Sequence, residues 1–166
     1  MRLAGELLKR YPGNPILTWK DLPYHVNAVY NPGAVKHGDE YILVPRVEDG
    51  RRDNRLHIAR SRDGIHFTVE TEPIALPGSP EDLVWEKHQY DARVTPLDGA
   101  YYIAYCAQTM GEVVRIGLAR TEDFRTFERL PFATQPWNRN CALFPEKIGG
   151  LYARLDRPMS GSDAIT

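Results

Sequence analysis

The chain has 166 residues, 42% of them hydrophobic and 26% charged, with a formal net charge of -1. That length supports one domain with a real core, and the composition is ordinary for a soluble globular protein. The near-neutral charge gives no electrostatic basis for binding nucleic acid or an anionic membrane.

From the N-terminus, Met1 to Leu8 has no apolar run long enough for a signal peptide. Residues 3–9 are long enough for one or two helical turns, and helical periodicity is weak elsewhere. No stretch approaches the roughly 20 apolar residues of a membrane span. A soluble, cytoplasmic protein is expected, with neither nucleic acid nor membrane as partner. Thirteen Gly and thirteen Pro suit a fold with frequent turns rather than a helix bundle.

The first predicted strand covers Ala28 to Val35, and Gly38-Asp39 follows as a turn. Glu40 to Arg46 is rich in β-branched and aromatic residues, the composition of a strand. A polar loop from Glu48 to Asn54 leads to a third strand, Arg55 to Ser61. Asp63-Gly64 is a hairpin-type turn signal, and Ile65 to Thr68 closes the unit. Residues 73–86 read as a turn-rich connection.

The unit then repeats. Ile58-Ala59-Arg60-Ser61-Arg62-Asp63-Gly64-Ile65-His66-Phe67 aligns with Leu118-Ala119-Arg120-Thr121-Glu122-Asp123-Phe124-Arg125-Thr126-Phe127, 60 residues later. The same offset pairs Tyr41-Ile42-Leu43-Val44 with Tyr101-Tyr102-Ile103-Ala104, Tyr30 with Tyr90, and Asn31 with Asp91. Strands are therefore predicted at Ala92 to Pro96, Ala100 to Ala107, Val113 to Thr121 and Thr126 to Leu130. A third unit opens near Asn140, with Leu151 to Asp156 as its second strand and Arg157 aligned to Arg46. Four short strands per unit of this length are the signature of a β-propeller blade. The fold class is all-β, a single partial propeller domain with blades at about 24–72, 84–132 and 138–166. Two and a half blades cannot close a ring. A truncated chain, a fragment, or a homo-oligomer that completes itself by association is expected. Cys106 and Cys141 are too few for a disulfide framework and read as small buried apolar residues.

The innermost strand of a blade lines the central channel, so polar residues there are the site candidates. Asn31 and Asp91 stand at equivalent places, each after a Tyr. Asp is depleted in strands, so Asp91 is either functional or a capping residue at a strand edge. Arg46, Arg139 and Arg157 would make an anion site if they converged, because a guanidinium fork matches phosphate. Surface salt bridges are the competing reading for each. Arg60 and Arg120 read as blade scaffolding. Glu86 and His88 lie just before Tyr90-Asp91 and are candidate pocket residues. Trp19, Trp85 and Trp137 suit either sugar stacking or core packing. The five His show no metal spacing, and no phosphate loop, dinucleotide fingerprint, Gly-x-Ser-x-Gly elbow or His-Glu-x-x-His is present.

Asn31-Pro32-Gly33-Ala34, Tyr90-Asp91-Ala92-Arg93-Val94-Thr95, Leu143-Phe144-Pro145-Glu146-Lys147-Ile148 and Ala153-Arg154-Leu155-Asp156-Arg157-Pro158 together resemble glycoside hydrolase family 130. The resemblance runs from about residue 11 onward. It implies a five-bladed β-propeller of roughly twice this length. It also implies a β-mannoside phosphorylase that cleaves a terminal β-mannoside with inorganic phosphate, giving α-mannose 1-phosphate with inversion. Asp91 falls on the catalytic acid of the family, which protonates the leaving oxygen through the 3-hydroxyl of the mannosyl unit. Asn31 and Arg46 fall on sugar-contacting positions. Tyr90 and His88 are further substrate-binding candidates. Arg139 and Arg157 fall on phosphate-binding arginines. No metal or cofactor is implied; the partners are a β-mannoside oligosaccharide and phosphate. An inverting β-mannosidase using water and a non-catalytic sugar-binding fragment are the alternatives.

Overall fold

In the computed structural model, residues 9–111 and 113–159 are described. The helical turn expected near residues 3–9 lies almost wholly outside them, as does the end of the third unit beyond residue 159. Among the described residues no helix is long and apolar enough to cross a membrane.

The architecture is nearly all β. The first sheet contains β1 (Val26–His37), β2 (Glu40–Asp49), β3 (Asn54–Leu56), β4 (Ala59–Ser61) and β5 (Thr68–Val69). It runs β1-β2-β4-β5, with β3 also on β2. A short helix, α1 (Pro80–Trp85), leads to the second sheet. That sheet is β6 (His88–Leu97), β7 (Ala100–Gln108), β8 (Val114–Thr121) and β9 (Glu128–Leu130), paired in chain order. A hairpin of β10 (Asn138–Leu143) and β11 (Arg154–Pro158) follows. All these pairings are antiparallel.

The first two units share one frame. Tyr41↔Ser61 in the first becomes Tyr101↔Thr121 in the second. Their closing turns are built alike. Asp63 Oδ1 accepts from the backbone N–H groups of Ile65 and His66, and Asp123 Oδ1 from those of Arg125 and Thr126. The Asp98-Gly99 hairpin has φ of 50° and 78°, as a type I′ turn requires. One difference has a direct cause. Pro45 of β2 accepts from His57 N–H at 3.1 Å but has no N–H to return. The third strand therefore splits into β3 and β4. Tyr105 at the equivalent place in β7 keeps β8 continuous through Gly117.

The main core lies between the first two sheets. Ile42, Val44, Leu56 and Ile58 pack with Ala92, Ile103, Ala119 and Phe124, all at most 2% exposed. Each large aliphatic side chain so buried contributes about 1.5–3 kcal/mol. The inner strands β1 and β6 come close because Gly33 has no side chain. A Cβ there would meet Val94 Cγ2 at 2.9 Å and the Ala92 carbonyl oxygen at 3.0 Å. Arg60 ties the units together, donating to the Phe124 carbonyl at 2.8 Å while pairing with Glu40 and Glu70. Arg120 pairs with Glu122 and Glu128, so both arginines are scaffold.

The connection over 73–86 is not a plain loop. Ser79 caps α1 in a reciprocal capping box with Asp82, and Pro80 opens the helix. A capping box of this kind needs only a Ser-x-x-Asp signal, which is present. Surrounding prolines mask it in the sequence.

Candidate functional site

Each inner hairpin contains a β-bulge at the same place. Tyr30 pairs with Arg46 and Gly33 with Val44, so Asn31 and Pro32 oppose Pro45. Tyr90 pairs with Cys106 and Arg93 with Ala104, so Asp91 and Ala92 oppose Tyr105. Asn138 pairs with Pro158 and Cys141 with Asp156, so Arg139 and Asn140 oppose Arg157. A bulge bends its strand and re-aims the residues at its head. Asn31, Asp91 and Arg139 are those residues. Asp91 alone of the three has a left-handed backbone, φ 56°. Asp tolerates that region better than most residues, and such outliers cluster at functional sites.

The bulges bring three of the sequence candidates together. Asn31 Nδ2 donates to Asp91 Oδ1 at 3.2 Å, and an Arg46 terminal nitrogen lies 3.8 Å from the same oxygen. Among the described residues no hydrogen bond engages Asp91 Oδ2. The Arg46 guanidinium is held between two rings, 4.5 Å from the Tyr30 centroid and 4.8 Å from that of Tyr90. Arg46 and Asp91 keep about a quarter of their side-chain surface exposed, so the pair remains reachable.

Tyr90 is placed behind this pair. It is buried, its hydroxyl donates to Gln108 Oε1 at 2.6 Å, and burial pushes its pKa upward. His88 is one step further back. Its Nδ1 accepts from the Asn54 backbone N–H at 3.3 Å and lies 4.0 Å from Asp53. Burial lowers the His88 pKa, partly offset by Asp53. Glu86 is not a pocket residue. It is 3% exposed and bound by Arg129, by the Tyr105 hydroxyl at 2.6 Å and by Gln89 at 2.8 Å, a buried network that packs the 73–86 connection onto the second sheet.

Arg139 and Arg157 converge on the same neighbourhood from the third hairpin. Both their charges oppose the upward push that burial gives Cys106, whose pKa is raised to about 11, and Cys106 is the cross-strand partner of Tyr90. The Nε atoms of both arginines are buried without a hydrogen-bond partner among the described residues, as is Asn138 Oδ1. Buried guanidinium donors ordinarily find acceptors, and an Nε–H left without one on each of two arginines suits an oxyanion. The alignment of Arg157 with Arg46 needs correction. Pro158 holds the Arg46 position, and Arg157 holds that of Pro45. The cause is the longer connection in the third hairpin, whose second strand begins at Arg154 rather than at Leu151. The tryptophans scatter: Trp85 packs on Phe132 and Arg115, Trp19 is exposed in a short turn beside Lys20, and Trp137 precedes β10.

Two residues at this site carry no motif. Asn54 is 7% exposed and its Oδ1 accepts from Arg46 Nε at 2.6 Å. Asn138 sits in the third hairpin where the first two have Tyr30 and Tyr90. The signal for Asn54 was the 60-residue offset itself, which pairs it with Val114.

A family model described as beta-1,4-mannooligosaccharide phosphorylase matches residues 7–163. The chain belongs to glycoside hydrolase family 130. A beta-1,4-mannooligosaccharide phosphorylase of Ruminococcus albus is 34% identical over 159 residues, covering 92% of this chain and 47% of the relative. A 4-O-beta-D-mannosyl-D-glucose phosphorylase of Bacteroides fragilis is 36% identical over 149 residues, covering 82% of this chain and 37% of the relative. The chain thus spans about half or less of the length of these family 130 relatives. A beta-1,2-mannobiose phosphorylase from Listeria innocua, solved with beta-1,2-mannobiose, superposes with a TM-score of 0.78 at 24% identity, over 92% of this chain and 59% of that one. The family fold is a five-bladed propeller. Among the described residues this chain presents a five-stranded blade, a four-stranded blade and a hairpin of a third.

Proposed function

We propose that the protein is a β-mannoside phosphorylase in which this chain carries the acid and the anion-binding arginines. The observation behind this reading is the pair of buried, unpartnered Arg139 and Arg157 Nε atoms beside the Asp91 cluster. Water as the nucleophile needs a base and no such cationic pocket. Phosphate needs fixed positive charge that cannot give up a proton, which Arg supplies.

In the proposed reaction a phosphate oxygen attacks the anomeric carbon of the terminal mannosyl unit. The bond from that carbon to the leaving sugar oxygen breaks, and the configuration inverts. Asp91 gives its proton to the 3-hydroxyl of the mannosyl unit, which passes its own to the leaving oxygen. The products are α-mannose 1-phosphate and the shortened sugar. Asn31 and Arg46 hold Asp91 Oδ1, leaving Oδ2 for the sugar hydroxyl. Tyr90 supports Arg46 from behind, and His88 supports the loop that carries Asn54.

The test is to incubate the protein with β-1,4-mannobiose, with and without inorganic phosphate. Mannose 1-phosphate that forms only when phosphate is present is the expected result. Free mannose formed at the same rate without phosphate would instead establish a β-mannosidase.

A further inference from the structure

We propose that Asn54 is the positioning residue for Arg46, and that the Arg46–Asn54 pair is a device specific to the first blade. This rests on the reading of Asp91 and Arg46 as working parts of the phosphorylase site.

The comparison of equivalent positions carries the inference. In the second blade, the positions of Arg46 and Asn54 are held by Cys106 and Val114. There they pack with Tyr90 and Met159 as an apolar cluster. The frame therefore accepts two small apolar residues at these positions. In the first blade it holds a guanidinium and a buried amide instead. A buried amide without a partner costs free energy, so its hydrogen bonds must be specific.

Those bonds are all accounted for. Asn54 Oδ1 accepts from Arg46 Nε at 2.6 Å, a short charge-assisted bond. Asn54 Nδ2 donates to the Arg52 carbonyl at 3.3 Å, which fixes the orientation of the amide. The Asn54 backbone N–H donates to His88 Nδ1 at 3.3 Å, anchoring this loop to β6, the strand that carries Asp91. Asp49 Oδ1 accepts from the backbone N–H groups of Arg51 and Asp53, which stiffens the loop from its other end.

The result is a fixed guanidinium. With Nε committed to Asn54, and the plane held between the Tyr30 and Tyr90 rings, one terminal nitrogen faces Asp91. An Arg free to swing on its stem would reach Asp91 only part of the time, and small misplacements at a reacting centre cost heavily in rate.

Two variants and two readouts test this. Asn54→Val installs the residue that the second blade already holds, so the frame should accept it. Asn54→Asp keeps an acceptor at the same point. The first readout is the Arg46 Nε–H resonance in a 15N NMR spectrum, assigned by its absence in Arg46→Lys. Asn54→Val should shift it and speed its exchange with water by at least about tenfold. Asn54→Asp should keep it protected. The second readout is phosphorolysis. Asn54→Val should lower kcat/KM by about 100-fold, mainly in kcat, with Asn54→Asp recovering most of the loss. An unchanged Arg46 resonance in Asn54→Val overturns the proposal, as does undiminished phosphorolysis by that variant. If the parent protein shows no phosphate-dependent cleavage, the phosphorylase reading falls, and the resonance alone decides the role of Asn54.

Discussion

The first two blades share a backbone frame and exchange their polar and apolar interiors. Where the first blade has Arg46 and Asn54, the second has Cys106 and Val114. At the start and outer strand the exchange reverses: Val26 and Val69 of the first blade become Glu86 and Arg129 in the second. The valines belong to an apolar cluster with Leu22, Val47 and Ala59. The second blade fills the corresponding space with an ion pair and the Tyr105 hydroxyl. Tyr105 reaches Glu86 across Gly117, where a Cβ would lie 2.3 Å from its ring. The first blade has Pro45 and His57 at those two places. A propeller blade thus fixes turns and strand pairing, while side-chain chemistry at each position stays free to diverge. The polar cluster of Asn31, Arg46 and Asp91 is where the candidate site lies. Polarity buried at the other end of the next blade holds the connection in place.

The comparison is sharpest at the bulge heads. Asp91→Asn makes the second blade carry the residue of the first. The amide keeps the shape and tolerates the left-handed backbone, but it has no acid proton to give. Phosphorolysis should fall about 10²–10⁴-fold in kcat, with the melting temperature close to that of the parent. Activity that survives within a few-fold would remove Asp91 from the chemistry.

The exchanged interior gives the next largest effect. Glu86→Val strands Arg129 as an unpaired buried charge, and breaking such a pair costs about 3–5 kcal/mol. Adding Arg129→Val completes the first-blade pair and should return part of that loss. Recovery stays incomplete because Tyr105 and Gln89 still lack their acceptor. Urea unfolding of the three proteins measures this. A double variant no more stable than Glu86→Val would show that the two blades are not interchangeable here.

These contrasts also explain what the sequence could disclose. The 60-residue frame was legible because turns such as Asp63-Gly64 and the strand patterns are local and recur. So was the nearness of Asn31 and Asp91, which the 60-residue offset puts at equivalent places on successive inner strands. The bulges themselves were hidden. A bulge is a count of two residues against one across a pairing, and no local composition records it. Arg157 aligned one place away from its true equivalent for another reason: the connection between β10 and β11 is longer than in the first two hairpins. Glu86 was misread because its partner Arg129 lies 43 residues on, beyond any local pattern. Asn54 stood in a polar loop, where one more Asn draws no notice until its side chain is found buried against Arg46.

A smaller effect tests the seam between the blades. Gly33→Ala places a Cβ against Val94 and the Ala92 carbonyl, where the inner strands are closest. Overpacking of this kind costs about 1–3 kcal/mol. It should also part Asn31 from Asp91, lowering kcat beyond what the loss of stability explains. A variant with parent-like stability would mean that the seam yields without strain.

The smallest effect separates the two closing turns. Both Asp63, which is exposed, and Asp123, which is partly buried, are carboxylates held below their ordinary pKa by hydrogen bonds. For Asp123 the backbone N–H groups of Thr126 and Arg125 are the main cause, and its pKa falls to about 2. For Asp63 the His66 side chain comes first, then backbone N–H groups, and the lowering is greater. A carboxylate with a lowered folded pKa stabilises the fold above its unfolded value near 3.9, and that contribution fades as pH falls through the folded value. The Asp123 contribution should therefore be lost between about pH 4 and about pH 2. That of Asp63 should persist to lower pH, because the imidazole adds a partner that Thr126 does not match. Melting temperatures of Asp123→Asn and Asp63→Asn, measured from pH 5 downward, separate the two. The gap between Asp123→Asn and the parent should close by about pH 2, while the gap between Asp63→Asn and the parent should close only at lower pH. Identical profiles for the two variants would show that the His66 ring adds nothing to the turn in solution.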